Sequence, residues 1–229
     1  DGRGPAVAEP IGLDGQGLPS GWSIAGASTF GNPIDESFAY IDSEARWTDS
    51  AGADQAIPDG DAFYVPQDAS PYWLAIAARA LMDRDDMTIA ALPGGELRLS
   101  EVDELTVSNG ETSRDVTAYG LSGTSENPTY FLMHDRAFFG VISPGFAILE
   151  AGYEGEDERL RGLAAGYGAS RFAEIQSRVA HDYDGPVRIR NVRVFDPSTL
   201  SLGEPVSVVV EGDRIAAIEA VDVATRAGE

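Results

Sequence analysis

Between residues 22 and 153, apolar residues gather in short runs separated by turn-forming residues. Such runs mark β-strands. They predict strands at 22–30, 36–41, 87–92, 96–99, 105–107, 114–119, 129–133, 137–142 and 146–153. Pro93-Gly94-Gly95, Asn109-Gly110, Glu126-Asn127-Pro128 and Pro144-Gly145 supply the reversals, because Gly and Asn reach backbone angles closed to most residues and Pro presets its own. A curved antiparallel sheet is expected. One helix interrupts it: Ser70 can cap it, Pro71 opens the first turn, and Leu74, Ala77, Ala78 and Leu81 share one face. A second helix is expected over 156–181, with Leu160, Leu163, Ala164 and Tyr167 on a stripe continued by Phe172, Ile175 and Val179. Gly162, Gly166 and Gly168 each weaken it by roughly 1 kcal/mol relative to Ala, which predicts either dependence on tertiary contact or a break near Gly168.

The flanks read differently. Residues 1–21 are rich in Gly and Pro without sustained periodicity, so they read as an extended arm. Residues 187–221 read as two β-hairpins joined by a Pro- and Ser-containing turn. Alternation runs through Val192 to Phe195 and again through Val206 to Val210, and Gly212-Asp213 makes a tight turn into Arg214 to Ile218. The chain therefore divides into an arm (1–21), a β-rich accessory domain with one helix (22–155), a helical connector (156–186) and a terminal strand region (187–229). The fold class expected is α+β, mostly antiparallel β.

Composition narrows the function classes. At 229 residues and 43% hydrophobic content the chain can build ordinary cores. Its 38 acidic and 16 basic residues give a net charge of −22, which repels phosphate backbones and anionic membranes, so no nucleic-acid partner is expected. Every basic residue is Arg, which a bias toward GC-rich codons explains; Arg also keeps its charge and binds carboxylates in a fork. Cysteine is missing, which removes disulfides, thiolate nucleophiles and sulfur-ligated zinc. No apolar run of about 18 residues exists, so no membrane-spanning helix is expected. The start at Asp1 suits a mature protein stripped of a leader or simply a trimmed sequence; the first leads to an expected periplasmic or secreted location.

The terminal strands resemble the opening of the metal-dependent amidohydrolase superfamily, in its imidazolonepropionase-like and prolidase-like branch. The residues that carry the likeness are Asn191, Phe195 and Asp196, then Val208, Val210, Gly212, Asp213, Arg214, Ile215 and Ile218. In that family these strands begin a small β-sandwich beside a catalytic (β/α)8 barrel, and the following segment delivers a His-x-His metal pair. The middle region is similar, through Arg79-Ala80-Leu81, Leu92-Pro93-Gly94-Gly95 and Ala118 to Gly123 followed by Pro128 to Phe131, to an N-terminal extension of exported bacterial amidohydrolases. The resemblance implies that 187–229 holds the first sandwich strands and that the barrel, with zinc or another divalent metal, lies on a partner chain.

Within the chain, each candidate for chemistry has a plainer explanation. An amidohydrolase centre needs several His and an Asp, often with a bridging Lys or Glu, whereas this chain has two His and no Lys. His134, beside Asp135 and Arg136, reads as a hairpin-turn residue, and His181 as a last-turn residue favoured by the helix dipole. The acidic clusters at Asp83, Asp85 and Asp86, at Glu101, Asp103 and Glu104, and at Glu154, Glu156, Asp157 and Glu158 lack the spacing of a calcium loop and read as solvated faces. No spacing among them singles out a glycosidase pair. Ser122 and Ser170 lack a nucleophile elbow. Trp22, Trp47, Tyr64, Tyr72 and Trp73 could line an apolar pocket, but core packing is the commoner fate. No catalytic, cofactor-binding or metal-ligating residue is therefore assigned to this chain.

The expectation is a non-catalytic N-terminal subunit or fragment of an amidohydrolase acting on C–N bonds in amides, cyclic amides or peptide-like substrates. Its partner is the C-terminal catalytic chain of the same precursor, separated by cleavage after Glu229 and contacted through 187–221, with room for a higher oligomer; alternatively the sequence is simply cut at Glu229. The alternative is a free-standing exported β-rich protein whose curved sheet binds an apolar ligand.

Overall fold

The computed structural model describes residues 4–229. It is an α+β fold dominated by antiparallel strands, in two compact units, residues 1–172 and 173–229.

The first unit opens with β1 (Ala6–Ala8), β2 (Ile11–Leu13), β3 (Pro19–Ala27), β4 (Pro33–Ile41), β5 (Glu44–Asp49) and β6 (Gly52–Ala56). They form one sheet in the order β1-β3-β4-β5-β6, and β2 also pairs with β3. The segment expected as an extended arm is laddered onto β3 from Ala6 onward, while residues 1–3 of that expectation lie outside the described residues. Backbone pairing holds it, which side-chain periodicity does not reveal. Gly26 permits the closest approach: a Cβ there would collide with the Ala6 carbonyl, and its φ of 154° is one that side-chain-bearing residues rarely adopt.

β7 (Ala62–Tyr64), α1 (Trp73–Met82) and β8 (Thr88–Leu92) form a crossover joining two parallel strands. The sheet continues antiparallel through β9 (Glu96–Ser108), β10 (Ser113–Ser122), β11 (Thr129–His134), β12 (Ala137–Ile142) and β13 (Ala147–Leu149). These seven strands curl into a half-barrel. The two strands expected at 96–99 and 105–107 are one: β9 runs unbroken through Ser100–Glu104, because pairing with β10 carries the acidic stretch. Leu74, Ala77, Ala78 and Leu81 of α1 are all buried, as the periodicity implies. Ser70 makes no side-chain cap. Its amide instead donates to the Glu9 carboxylate at 2.7 Å, and Tyr72 occupies the cap position.

Period-two alternation sends the two faces of this sheet into different cores. Phe131, Met133 and Leu121 join Trp22, Phe38, Trp47 and α1 in one cluster, whereas Leu132, Phe139 and Ile142 join Tyr153, Leu160 and Ala164 in another. Leu160 and Ala164 belong to α2 (Asp157–Val179). This helix is not broken at Gly168. Contacts of Leu160, Leu163, Ala164 and Tyr167 with the second cluster offset the glycines. It ends at Val179, so His181 lies beyond it rather than in its last turn.

The second unit contains β14 (Val187–Asp196), β15 (Ser201–Glu211) and β16 (Arg214–Ala220), an antiparallel meander in that order. One long strand, β15, serves both expected hairpins.

Candidate functional site

In the β14-β15-β16 sheet, residues directly opposite one another share a face. Val187, Val210 and Ile215 form one row across the three strands; Ile189, Val208 and Ile218 form the next; Val192, Val206 and Ala220 form the third. A bulge in β14 keeps these rows aligned. Between Ile189 and Val192, β14 advances three residues while β15 advances two, and Asn191 takes a left-handed φ of 56° in the extra position. Without it Val192 would turn to the other face. The result is a face of nine apolar side chains with no charge among them. Ile189, Ile215 and Ile218 are exposed, Ile215 at 66%.

The opposite face is closed by residues 222–229. Arg188 projects there, beside Val209 and Ser207. Its guanidinium donates from Nε to Glu229 at 2.6 Å, from Nη2 to the other Glu229 oxygen at 2.8 Å, and from Nη1 to Glu219 at 2.8 Å. Arg226 pairs with Glu219 and its amide donates to Glu229 at 3.1 Å. The side chains of Arg188 and Glu229 are only 3% and 2% exposed. Gly185 completes the closure, since a Cβ there would collide with the Gly228 carbonyl. Hydrogen bonds from Arg188 hold the Glu229 carboxyl at about 2, well below its usual range, against the opposing effect of desolvation. Arg188 itself is shifted upward, first by Glu229 and then by Glu219. Buried, forked pairing of this kind is satisfied only in one geometry, so it fixes the tail on this face. β14 and β16 are the sheet's edges and have no further ladder partner among the described residues.

The first unit holds a second feature, a groove of about 530 Å³ between the β11 and β12 ends and α2. Tyr130, Ile142, Phe146, Ala164 and Phe172 line it. Phe172, expected on the packed stripe of α2, is 68% exposed.

The residues weighed for chemistry are scattered. His134 closes the β11–β12 hairpin, with Nδ1 2.7 Å from the Asp115 carbonyl. Asp83 pairs with Arg136, Asp103 accepts the Tyr167 hydroxyl, Glu156 accepts the Ser108 amide, and Asp157 pairs with Arg161. Trp22 and Trp47 are in the core, Trp73 packs on Phe63, and Tyr72 is exposed against Phe138, so the aromatics do not line one pocket. No three His, Asp or Glu side chains converge to hold a metal ion among the described residues, nor is any described helix long and apolar enough to cross a membrane.

One buried acid was not singled out by the sequence reading. Glu36 is 1% exposed and accepts the Tyr64 hydroxyl at 2.7 Å, the Gln67 amide at 3.0 Å and the Asp68 amide at 2.9 Å. It anchors the segment that leads into α1. Burial and the Glu36 hydrogen bond push the Tyr64 hydroxyl strongly upward. The signal was present: Ile34, Glu36 and Phe38 alternate on one face of β4.

No protein-family model, curated protein or solved structure matches the chain.

Proposed function

We propose that β14, β15 and β16 are the opening strands of the small β-sandwich of a metal-dependent amidohydrolase, and that the chain is the non-catalytic portion of that enzyme. The (β/α)8 barrel, its zinc or other divalent metal and the hydrolysis of C–N bonds belong to a second chain from the same precursor. The observation that carries this reading is the nine-residue apolar face. Sheets bury such faces against a second sheet about 10 Å away, and full burial of an Ile or Val side chain contributes about 1.5–3 kcal/mol. The tail 222–229 already occupies the other face, so partner strands have one face to cover. The residues of this chain do not fit the metal. His134 is tied to a backbone carbonyl, His181 is exposed outside α2, and no catalytic step is assigned to either.

Intact mass spectrometry of the protein isolated under native conditions tests the reading. A stoichiometric, His-rich companion carrying the divalent metal is expected. A lone 229-residue chain that stays monomeric, or one that binds zinc stoichiometrically by itself, would overturn it.

The groove beside α2 favours a second reading, binding of an apolar ligand by the first unit. Saturable uptake of a hydrophobic dye by wild type, lost in Phe172→Glu, would support that reading; uptake unchanged by the substitution would dismiss it.

A further inference from the structure

We propose that a cleft of about 570 Å³ beside α1 binds the carboxylate of a short aliphatic acid through Arg79. The inference is independent of the amidohydrolase reading. Three arginines, Arg79, Arg84 and Arg136, line this cleft in a chain where acids outnumber bases by 38 to 16. Two of them are committed. Arg84 pairs with Asp61 at 2.6 Å, and Arg136 engages both oxygens of Asp83 at 3.0 and 2.9 Å while donating to the Arg79 carbonyl at 3.0 Å. Those contacts use the two carboxylates that line the cleft.

Arg79 has no carboxylate partner among the described residues. One nitrogen donates to the Tyr72 hydroxyl at 3.1 Å, and the guanidinium lies 5.3 Å from the centre of the Tyr72 ring. A guanidinium carries five N–H donors, and a phenol oxygen accounts for one of them here. Four N–H donors of Arg79 have no partner among the described residues, enough for the two parallel hydrogen bonds that a carboxylate accepts. With three Arg and two Asp the lining is singly positive, which matches a monocarboxylate. The net charge of −22 opposes anions at long range, but at physiological salt that field is screened beyond about 8 Å. Recognition therefore rests on short-range geometry and excludes highly charged anions. Leu13 and Ala80 on the wall accept the apolar end of the ligand.

The test is an NMR titration of the full chain with butyrate, and with butyramide as its uncharged counterpart, following the Arg79 Nε–H and the amides of Gly15, Gln16 and Gly17. Butyrate is expected to give saturable shifts confined to the cleft, with butyramide giving none. Arg79→Gln should weaken butyrate binding about tenfold or more, the loss expected for a charge-assisted pair. Arg46→Gln, whose guanidinium is an exposed partner of Glu44, should leave binding unchanged. Equal shifts from butyramide, non-saturable shifts, or undiminished binding in Arg79→Gln would overturn the site. The comparison of the two probes on wild type decides the matter even if Arg79→Gln folds poorly.

Discussion

The seven-stranded sheet of the first unit and the three-stranded sheet of the second obey the same alternation and meet different fates. In the first, Phe131 and Met133 enter one core and Leu132 the other, so both faces are spent inside the unit. In the second, Arg188, Ser207 and Val209 are closed over by residues 222–229, while Val187, Ile189, Val192 and their cross-strand partners are not. Alternation reports that a strand has an apolar side. It does not report whether the same chain supplies the cover. The open face of this sheet carries nine uncharged side chains that no described residue covers, and the proposed companion strands are what would bury it.

The contrast can be sharpened by substitution. Phe131→Ala should destabilise the first unit by about 3–5 kcal/mol, the cost of a large cavity in a closed core, measured by chemical denaturation. Glu36→Ala should cost about 2–3 kcal/mol or more, because the Tyr64 hydroxyl and the Gln67 and Asp68 amides lose a buried acceptor; thermal unfolding would show a loss under 0.5 kcal/mol if the anchor were idle. Val208→Asp should change the stability of the isolated chain by less than about 1 kcal/mol yet release the companion chain, since a carboxylate under a partner sheet is left buried and unpaired. Co-elution undiminished by this change would remove the shared sandwich.

Acid should loosen the closed face without touching the open one. Glu229 sits at about 2 against an ordinary value of 4.5, so its contribution is complete above 4.5 and is lost as pH falls toward 2. Protection of the 222–229 amides, taken relative to their intrinsic exchange rate at each pH, should hold at neutral pH and fall only in that acid window; a fall near pH 6 would contradict the Arg188 clamp. The smallest effect is expected at Gly166→Ala. That position meets open space, and the substitution should stabilise α2 by about 0.5–1 kcal/mol, read as a raised Tm.

Much of this architecture was legible in the residues. The spacing of Leu74, Ala77, Ala78 and Leu81 located α1 and its buried face, Asn109-Gly110 located the β9–β10 reversal, and Gly212-Asp213 located the last hairpin. Strands β5, β6 and β7 were missed. β6 buries almost nothing, and its sequence Gly-Ala-Asp-Gln-Ala carries no alternation to detect. Ladder pairing of Ala6–Ala8 and Ile11–Leu13 escaped for the same reason. Periodicity predicts a continuous stripe on α2, but its second half leaves Phe172 and Val179 exposed, because periodicity is blind to where the neighbouring sheet stops. The apolar rows at 187–218 were visible as strands, whereas the forked closure by Glu229 was not, since it joins residues 41 apart through tertiary geometry alone.

Thiol labelling offers the most direct measurement, because the sequence has no cysteine and a single introduced thiol reports one position. In the natively isolated protein, Val208→Cys should react far more slowly than Leu200→Cys, whose site is 79% exposed, and should speed up once the companion chain is removed. Equal, fast labelling of both thiols in the native preparation would mean that the apolar face is bare in the working protein, and the account of a composite sheet would fail.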